Sequence, residues 1–409
     1  MKILLLLQLF ISLVLAAHTS KQDRAHNTNH LSKSEESDVS ECQMNFAVRI
    51  FQQHFKGFGP IPPSNLVLSP ISIYTTLSML ALGARGTTRD EIFLTLGLDE
   101  TTKDKVLNQG NRKILQALSQ KTKDVKFKLG NEIFTDQSVS ISEEYQEDVA
   151  HYYNASFHSI SFSDPQNAAK IINKIVSDRT DHKIKNVVQN LDSKTLMVLL
   201  DYAVFRGKWY TEFDKKLTEK GTFNVNQEKK VVVTMLKRPG LYKAYRDHKT
   251  GTFIVKVPYA GDLSLLLFIP QLGGLRHFRN SLNAPMIKKY LRLMQSSTLI
   301  LYIPKISFNQ PIDLQHDLSV MGMRKMFSET DANFSGMSMN KKMSVSNIYH
   351  QSYFSIDEEG TEARGATAVQ LNVDLPSPIV MADRPLIFMI YHKVAKTILW
   401  IGQIIDPSQ

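Results

Sequence analysis

The chain has 409 residues, 43% of them hydrophobic, and a formal net charge of +10. That apolar content supports a large core, and the length alone allows two or three domains. Cys42 is the sole cysteine, which excludes an internal disulfide and leaves stability to packing, while the positive balance points toward polyanionic surfaces without naming one.

Residues 2–17, KILLLLQLFISLVLAA, combine one positive charge, an apolar run and small residues. This is the pattern of a secretory signal over 1–16, cut after Ala16, with Val14 and Ala16 at the cleavage site. The competing reading, a membrane anchor, requires a longer run and a stop-transfer flank. Residues 17–42 are polar and are expected to form a disordered tail. His26 and His30 stand four apart, but with no helix to orient them they are expected to be solvated rather than to hold a metal. Cys42 is either an unused thiol or a site for pairing with another molecule.

The pattern changes at Met44. Met44, Val48, Phe51 and Phe55 form a helical stripe running up to Gly57 and Gly59. NLVLSPISIYTTLSMLALGA then predicts a short strand, a Ser-Pro break and a helix apolar enough to be internal. Thr88 with Glu91 predicts a capping box, and Asp164-Pro165 predicts another helix start, with an acceptor at the cap and proline where no donor is needed. Two sequons, Asn154-Ala-Ser156 and Asn333-Phe-Ser335, offer glycosylation sites at Asn154 and Asn333. FIVKVPY and LSLLLFIP flank Ala260-Gly261-Asp262 as a hairpin. TLILYIPKISF, YFSIDEEG, LIFMIYHK and ILWIGQII are further strands. Helices early and strands late, without repeats or linkers, predict one α+β domain over 43–409.

Catalytic signatures are missing from the sequence: no G-x-S-x-G, no H-E-x-x-H, no phosphate-binding glycine loop and no cysteine pair for zinc. An enzyme is not expected, and no cofactor or metal is implied. The unusual stretch is GTEARGATAV at 360–369, a run of small residues following a strand.

Eight landmarks in order, NLVLSPISIYTTLSMLALGARGTTRDEI, VFRGKWYTEFD, VVVTMLKRPG, LFIPQ, IPKISF, FSIDEEGTEARGATAV, ADRPLIFMI and WIGQIIDP, resemble the serpin family, and within it the secreted antitrypsin-like group. The resemblance covers 43–409. It implies three β-sheets packed with eight or nine helices and an exposed reactive-centre loop, about residues 358–383. It also implies the function of a suicide substrate. A serine protease attacks the loop and forms an acyl-enzyme, and the cut loop enters the main sheet as a new strand.

The resemblance assigns the hinge to Gly360, Thr361, Glu362, Ala363, Arg364, Gly365, Ala366 and Thr367. The resemblance also puts Thr361, Ala363, Gly365 and Thr367 on the inward row of the inserted strand, none of them charged or bulky, so that by the period of two Glu362 and Arg364 fall on the outward row. Loop length places the bait bond at Asp374-Leu375. Aspartate suits few proteases; Val373-Asp374 is the alternative, and Leu375-Pro376 is poor because proline follows the bond. Ser69, Ser72 and His350 match polar residues beneath the point where the sheet opens. The family's asparagine there is Asp201, which can accept but not donate and so points to a bond with protonated His350; the alternative is that Asp201 has repacked without effect on opening. Trp209 matches the tryptophan where the loop enters, with Lys305 and Glu358 as a pair beside it, and Leu386 replaces a usual phenylalanine. Related serpins bind heparin through either of two basic regions. Here one holds Arg276, His277, Arg279, Lys288, Lys289 and Arg292, and the other Arg112, Lys113, Lys121, Lys123, Lys126 and Lys128.

These features predict a secreted, extracellular, monomeric protease inhibitor. Its partners are a serine protease and a candidate heparin-like glycosaminoglycan, with neither nucleic acid nor membrane. A non-inhibitory serpin carrying a small hydrophobic hormone is the alternative, and a storage protein a third reading.

Overall fold

The computed structural model describes residues 33–56, 64–99, 102, 104–119, 125–359 and 377–409. The signal, the tail before Lys33, the hinge Gly360 to Thr367 and the bait pair Asp374 and Leu375 lie outside them.

The first helix, α1 (Lys33–His54), starts well inside the expected tail, so residues 33–42 belong to the folded domain. Val39 supplies the reason. It is buried against the glycine face at Gly110, where an added Cβ would sit 2.8 Å from its Cγ2. One turn on, the Cys42 thiol donates to the Gly97 carbonyl at 3.1 Å and Gln43 Nε2 to Asn111 Oδ1 at 2.9 Å. The end of the segment that read as a tail is thus packed against neighbouring helices. Met44, Val48, Phe51 and Phe55 are buried, as their spacing predicts.

β1 (Leu66–Leu68) leads through Ser69 into α2 (Pro70–Gly83), a helix buried on almost every side. α3 (Gly86–Leu96) departs from expectation. It begins before Thr88, with Arg85 at the cap and no side-chain bond there. The capping-box residues serve distant segments instead: Thr88 Oγ1 accepts from Asn333 N at 3.1 Å, and Glu91 Oε2 accepts from the amides of Arg324 and Lys325 at 2.9 and 2.8 Å. α4 (Asp104–Leu118), β2 (Val125–Asp136), α5 (Glu143–Tyr153), β3 (Ser156–Ile160) and α6 (Pro165–Arg179) follow. At α6 the expected cap is present, with Asp164 accepting from Asn167 N at 3.1 Å.

Next come β4 (Met197–Gly207), β5 (Glu219–Asn224), β6 (Lys230–Asp247), β7 (Thr252–Pro258) and β8 (Leu263–Ile269). Gly261, at φ +80°, turns the expected β7–β8 hairpin. After α7 (Leu275–Ser281) and α8 (Ala284–Leu293), the chain forms β9 (Gln295–Pro304), β10 (Ile306–Asp313), α9 (Gln315–Met321), β11 (Asn347–Ile356), β12 (Ile379–Met381), β13 (Leu386–His392) and β14 (Thr397–Ile404).

Among the described residues the strands form one sheet ordered β10-β11-β4-β2-β3 and a nine-stranded one ordered β1-β14-β13-β8-β7-β6-β9-β12, with β5 also on β6. Two of the three expected sheets are therefore hydrogen-bonded into one. Strand β6 joins them: it pairs with β5 at its start, β9 along its middle and β7 at its end. α2 packs between the two layers, touching β2 and β4 on one side and β14 on the other. Val39→Ala should lower stability by about 1–3 kcal/mol in a urea titration if α1 is anchored as described. An unchanged midpoint would put residues 33–42 back outside the fold.

Candidate functional site

β11 and β4 run parallel, paired from Asn347↔Val198 to Tyr353↔Val204, while β10 and β2 flank them antiparallel. The chain leaves β11 after Ile356 and next enters a strand at Ile379, in the other sheet. Everything assigned to bait and hinge lies in that connection.

Beneath the seam a buried network crosses it, and register places His350 directly beside Asp201. Asp201 Oδ1 accepts from Ser72 Oγ at 2.6 Å and contacts His350 Nδ1 closely. On the other ring nitrogen, Nε2 takes the Ser69 backbone N–H at 3.0 Å and lies 2.8 Å from Ser352 Oγ. The Ser69 N–H donates, so in this geometry Nε2 is the accepting nitrogen and Nδ1 is the one turned to Asp201. The expected contact between Asp201 and His350 is present. Ser69 contributes its amide, and its buried hydroxyl has no partner; neither does Asp201 Oδ2. Ser352 was missed in the sequence. Its signal is the period of two, which puts it on the same strand face as His350.

At the upper end of the seam, Trp209 stacks on Tyr259 with centroids 4.2 Å apart and donates through Nε1 to the Asp357 carbonyl at 2.8 Å. Phe213 N donates to the Glu358 carbonyl at 2.9 Å. Lys305 Nζ meets Glu358 Oε2 at 2.7 Å, and Lys215 pairs with Glu359. The chain is thus held at three successive residues just before Gly360. Burial pushes the Glu358 carboxyl up, but the hydrogen bond and charge of Lys305 outweigh it and leave the group below its ordinary range. Its neighbour Asp357 goes the other way, raised by burial.

The basic regions are less coherent than their sequence. Arg276, Lys288, Lys289 and Arg292 are exposed. Arg279 is not: its guanidinium stacks 4.1 Å above Phe55 and donates to Gln403 Oε1 at 3.0 Å, and burial with nearby Arg276 lowers its pKa to about 10. It is removed from the candidate heparin face. Lys288 also pairs with Glu41 at 3.0 Å. In the other run, Arg112 donates to His151 at 2.7 Å and Lys128 pairs with Asp181 at 2.8 Å; Lys121 and Lys123 lie outside the described residues. The sequon residues Asn154 and Asn333 are both exposed.

The family model described as serpin (serine protease inhibitor) matches residues 41–407. The chain belongs to the serpin family. A Xenopus laevis protein named serine protease inhibitor A6 is 32% identical over 389 residues, covering 95% of this chain and 88% of the relative. An Ovis aries alpha-1-antiproteinase is 32% identical over 348 residues, covering 85% and 83%. These relatives place the chain with the antitrypsin-like serpins. Among solved structures, human thyroxine-binding globulin with thyroxine superposes with a TM-score of 0.86 at 27% identity, covering 92% of this chain and all of that one. Uncleaved ovalbumin gives 0.82 at 25%, covering 90% of this serpin and all of that chain. In this serpin the seven residues assigned to the sheet opening fall into two clusters near the β11–β4 pair: Ser69, Ser72, Asp201 and His350 in one, Trp209, Lys305 and Glu358 in the other. No helix among the described residues is long and apolar enough to cross a membrane.

Asp201→Asn keeps the Oδ1 acceptor and removes a buried charge, and should raise stability by about 1–2 kcal/mol. Asp201→Ala strands Ser72 and His350 and should lower it by about 2–4 kcal/mol. Thermal melts of both variants decide the signs. Glu358, with its folded pKa depressed, contributes stability above the ordinary carboxylate pKa and loses it as pH falls through the folded value. Glu358→Gln should therefore cost about 1 kcal/mol or less near neutrality and flatten the decline in melting temperature between about pH 5 and 3. A parallel decline in both proteins would refute this.

Proposed function

We propose that this serpin is a secreted inhibitor that traps a serine protease by cleavage of its reactive loop and insertion of the cut loop between β11 and β4. The observation that carries the reading is the parallel seam. A chain continuing from β11 and turning back at Gly360 runs antiparallel to β11. Because β4 is parallel to β11, the same segment is antiparallel to β4 as well, and both of its edges meet a compatible ladder. Thr361, Ala363, Gly365 and Thr367 suit the inward row of that strand, and no proline interrupts it. The family description as serine protease inhibitors supports a bait rather than an enzyme. Asp374-Leu375 is the proposed bait bond, which directs the search to proteases with a basic specificity pocket. Secretion rests on residues 2–17, and glycosylation on the two exposed sequons.

Hormone carriage is the second reading, supported by the likeness to thyroxine-binding globulin and by aspartate at 374 and 201. The two are separated by cutting the loop with a promiscuous protease and melting the protein before and after. Insertion adds a ladder of backbone bonds, so the cleaved form should melt well above the intact form. A panel of serine proteases should also yield a covalent complex stable on a denaturing gel. Thr361→Arg buries an unpaired charge at the first step of entry; it should turn inhibitor into substrate with intact-form stability nearly unchanged. An identical transition before and after cleavage would put the carrier reading first.

A further inference from the structure

The segment 209–214 holds the Asp357 and Glu358 carbonyls, which raises the question of what holds that segment. Its beginning is fixed to the β7–β8 hairpin: Ala260 N donates to the Lys208 carbonyl at 2.8 Å and Tyr210 N to the Pro258 carbonyl at 3.0 Å. Beyond Tyr210 those anchors end. The next one is Arg238, on β6, whose Nη1 donates to the Thr211 carbonyl. Its guanidinium lies 4.4 Å over the Phe213 ring and 5.0 Å over Tyr242. Tyr242 OH fixes the fork, accepting from Arg238 Nε at 2.8 Å and donating to the Arg238 carbonyl at 3.0 Å.

Arg238 is only 8% exposed, and no carboxylate among the described residues lies within ion-pair distance of it. A buried guanidinium held by neutral acceptors and ring faces is costly to place. A β-strand needing only a packed side chain at this position has no use for it. Its position gives it one: the residue clamped to Glu358, Phe213, is the residue under its plane, and Phe213 itself is buried.

We propose that Arg238 is a positioning residue for loop entry: by fixing Thr211 and Phe213 it holds the clamp on Asp357 and Glu358 closed, and so sets how readily the upper end of the β11–β4 seam admits a strand. This rests on the insertion reading above. Releasing the guanidinium loosens the Phe213–Glu358 bond first, and the effect reaches Trp209 through the packing of the two rings, whose centroids lie 5.6 Å apart.

The probe is a synthetic peptide of this chain's own residues 361–373, mixed with the intact protein. Its entry is followed by fluorescence of Trp209 and by the rise in melting temperature. Arg238→Met, which keeps the stem and removes the fork, should accelerate entry about tenfold or more, the equivalent of one hydrogen bond to a charged group. Arg238→Lys, with charge but no plane, and Tyr242→Phe, which loses the orienting hydroxyl, should fall between it and the parent; they also serve if Arg238→Met fails to fold. Ile287→Ala, a cavity in buried α8, should lower stability without changing the entry rate, which separates the latch from general loosening. Entry at the parental rate in all three clamp variants, with the parent accepting peptide, would overturn the role of Arg238 alone. If the parent neither accepts peptide nor melts higher after cleavage, the insertion reading fails, and the latch with it.

Discussion

Two neighbouring strands running the same way, β11 and β4, are the constraint from which the rest of the architecture follows. A parallel pair is somewhat weaker per residue than the antiparallel pairs on either side of it. It is therefore weaker than the two pairs that flank it, and a polar cluster stands at each end of it. Below, the Ser-Pro break after β1 delivers α2 so that Ser69 and Ser72 reach the His350–Asp201 pair. Above, Trp209, Phe213, Lys305 and Lys215 hold three consecutive residues. Backbone pairing in the middle and side chains at both ends make the seam closed but separable.

Buried charge follows a related logic. Arg238 and Arg279 are each inside without a carboxylate partner among the described residues, and each spans elements that no backbone ladder connects. Arg238 joins β6 to an irregular segment, Arg279 joins α7 to the end of α1 and to β14, and Asp201 adds a side-chain bond from β4 to α2 beside the β4–β11 ladder. Such groups are expensive, and their hydrogen bonds are directional, so they fix relative positions that apolar packing leaves free to slide. The basic face near α8 has one cation fewer than its sequence because Arg279 turns inward onto Phe55.

Much of this was legible in advance. Helix stripes, the β7–β8 hairpin, the Asp164 cap and the order of landmarks fixed the fold class and seven residues of the seam, because those signals are local or repeat in a known order. What was hidden depends on contacts far apart in sequence. Glu91 reads as its own helix's cap yet serves amides at 324 and 325. Val39 has no apolar neighbours in sequence and finds its pocket on α4. That the Ser69 amide meets His350 at Nε2 appears only once α2 is packed under β11, and Arg238 is one more basic residue in a strand until Thr211 and Phe213 are placed beside it.

The placement of β14 bears on how the chain comes to be folded at all. β14 lies between β1 and β13 and forms one wall against α1 and α2. Those early elements therefore have no complete partner until Thr397–Ile404 have emerged from the ribosome, at roughly 5–20 residues per second. Until then the apolar faces of α2 and β1 stay uncovered. A cell making this protein has to shield those faces for that interval.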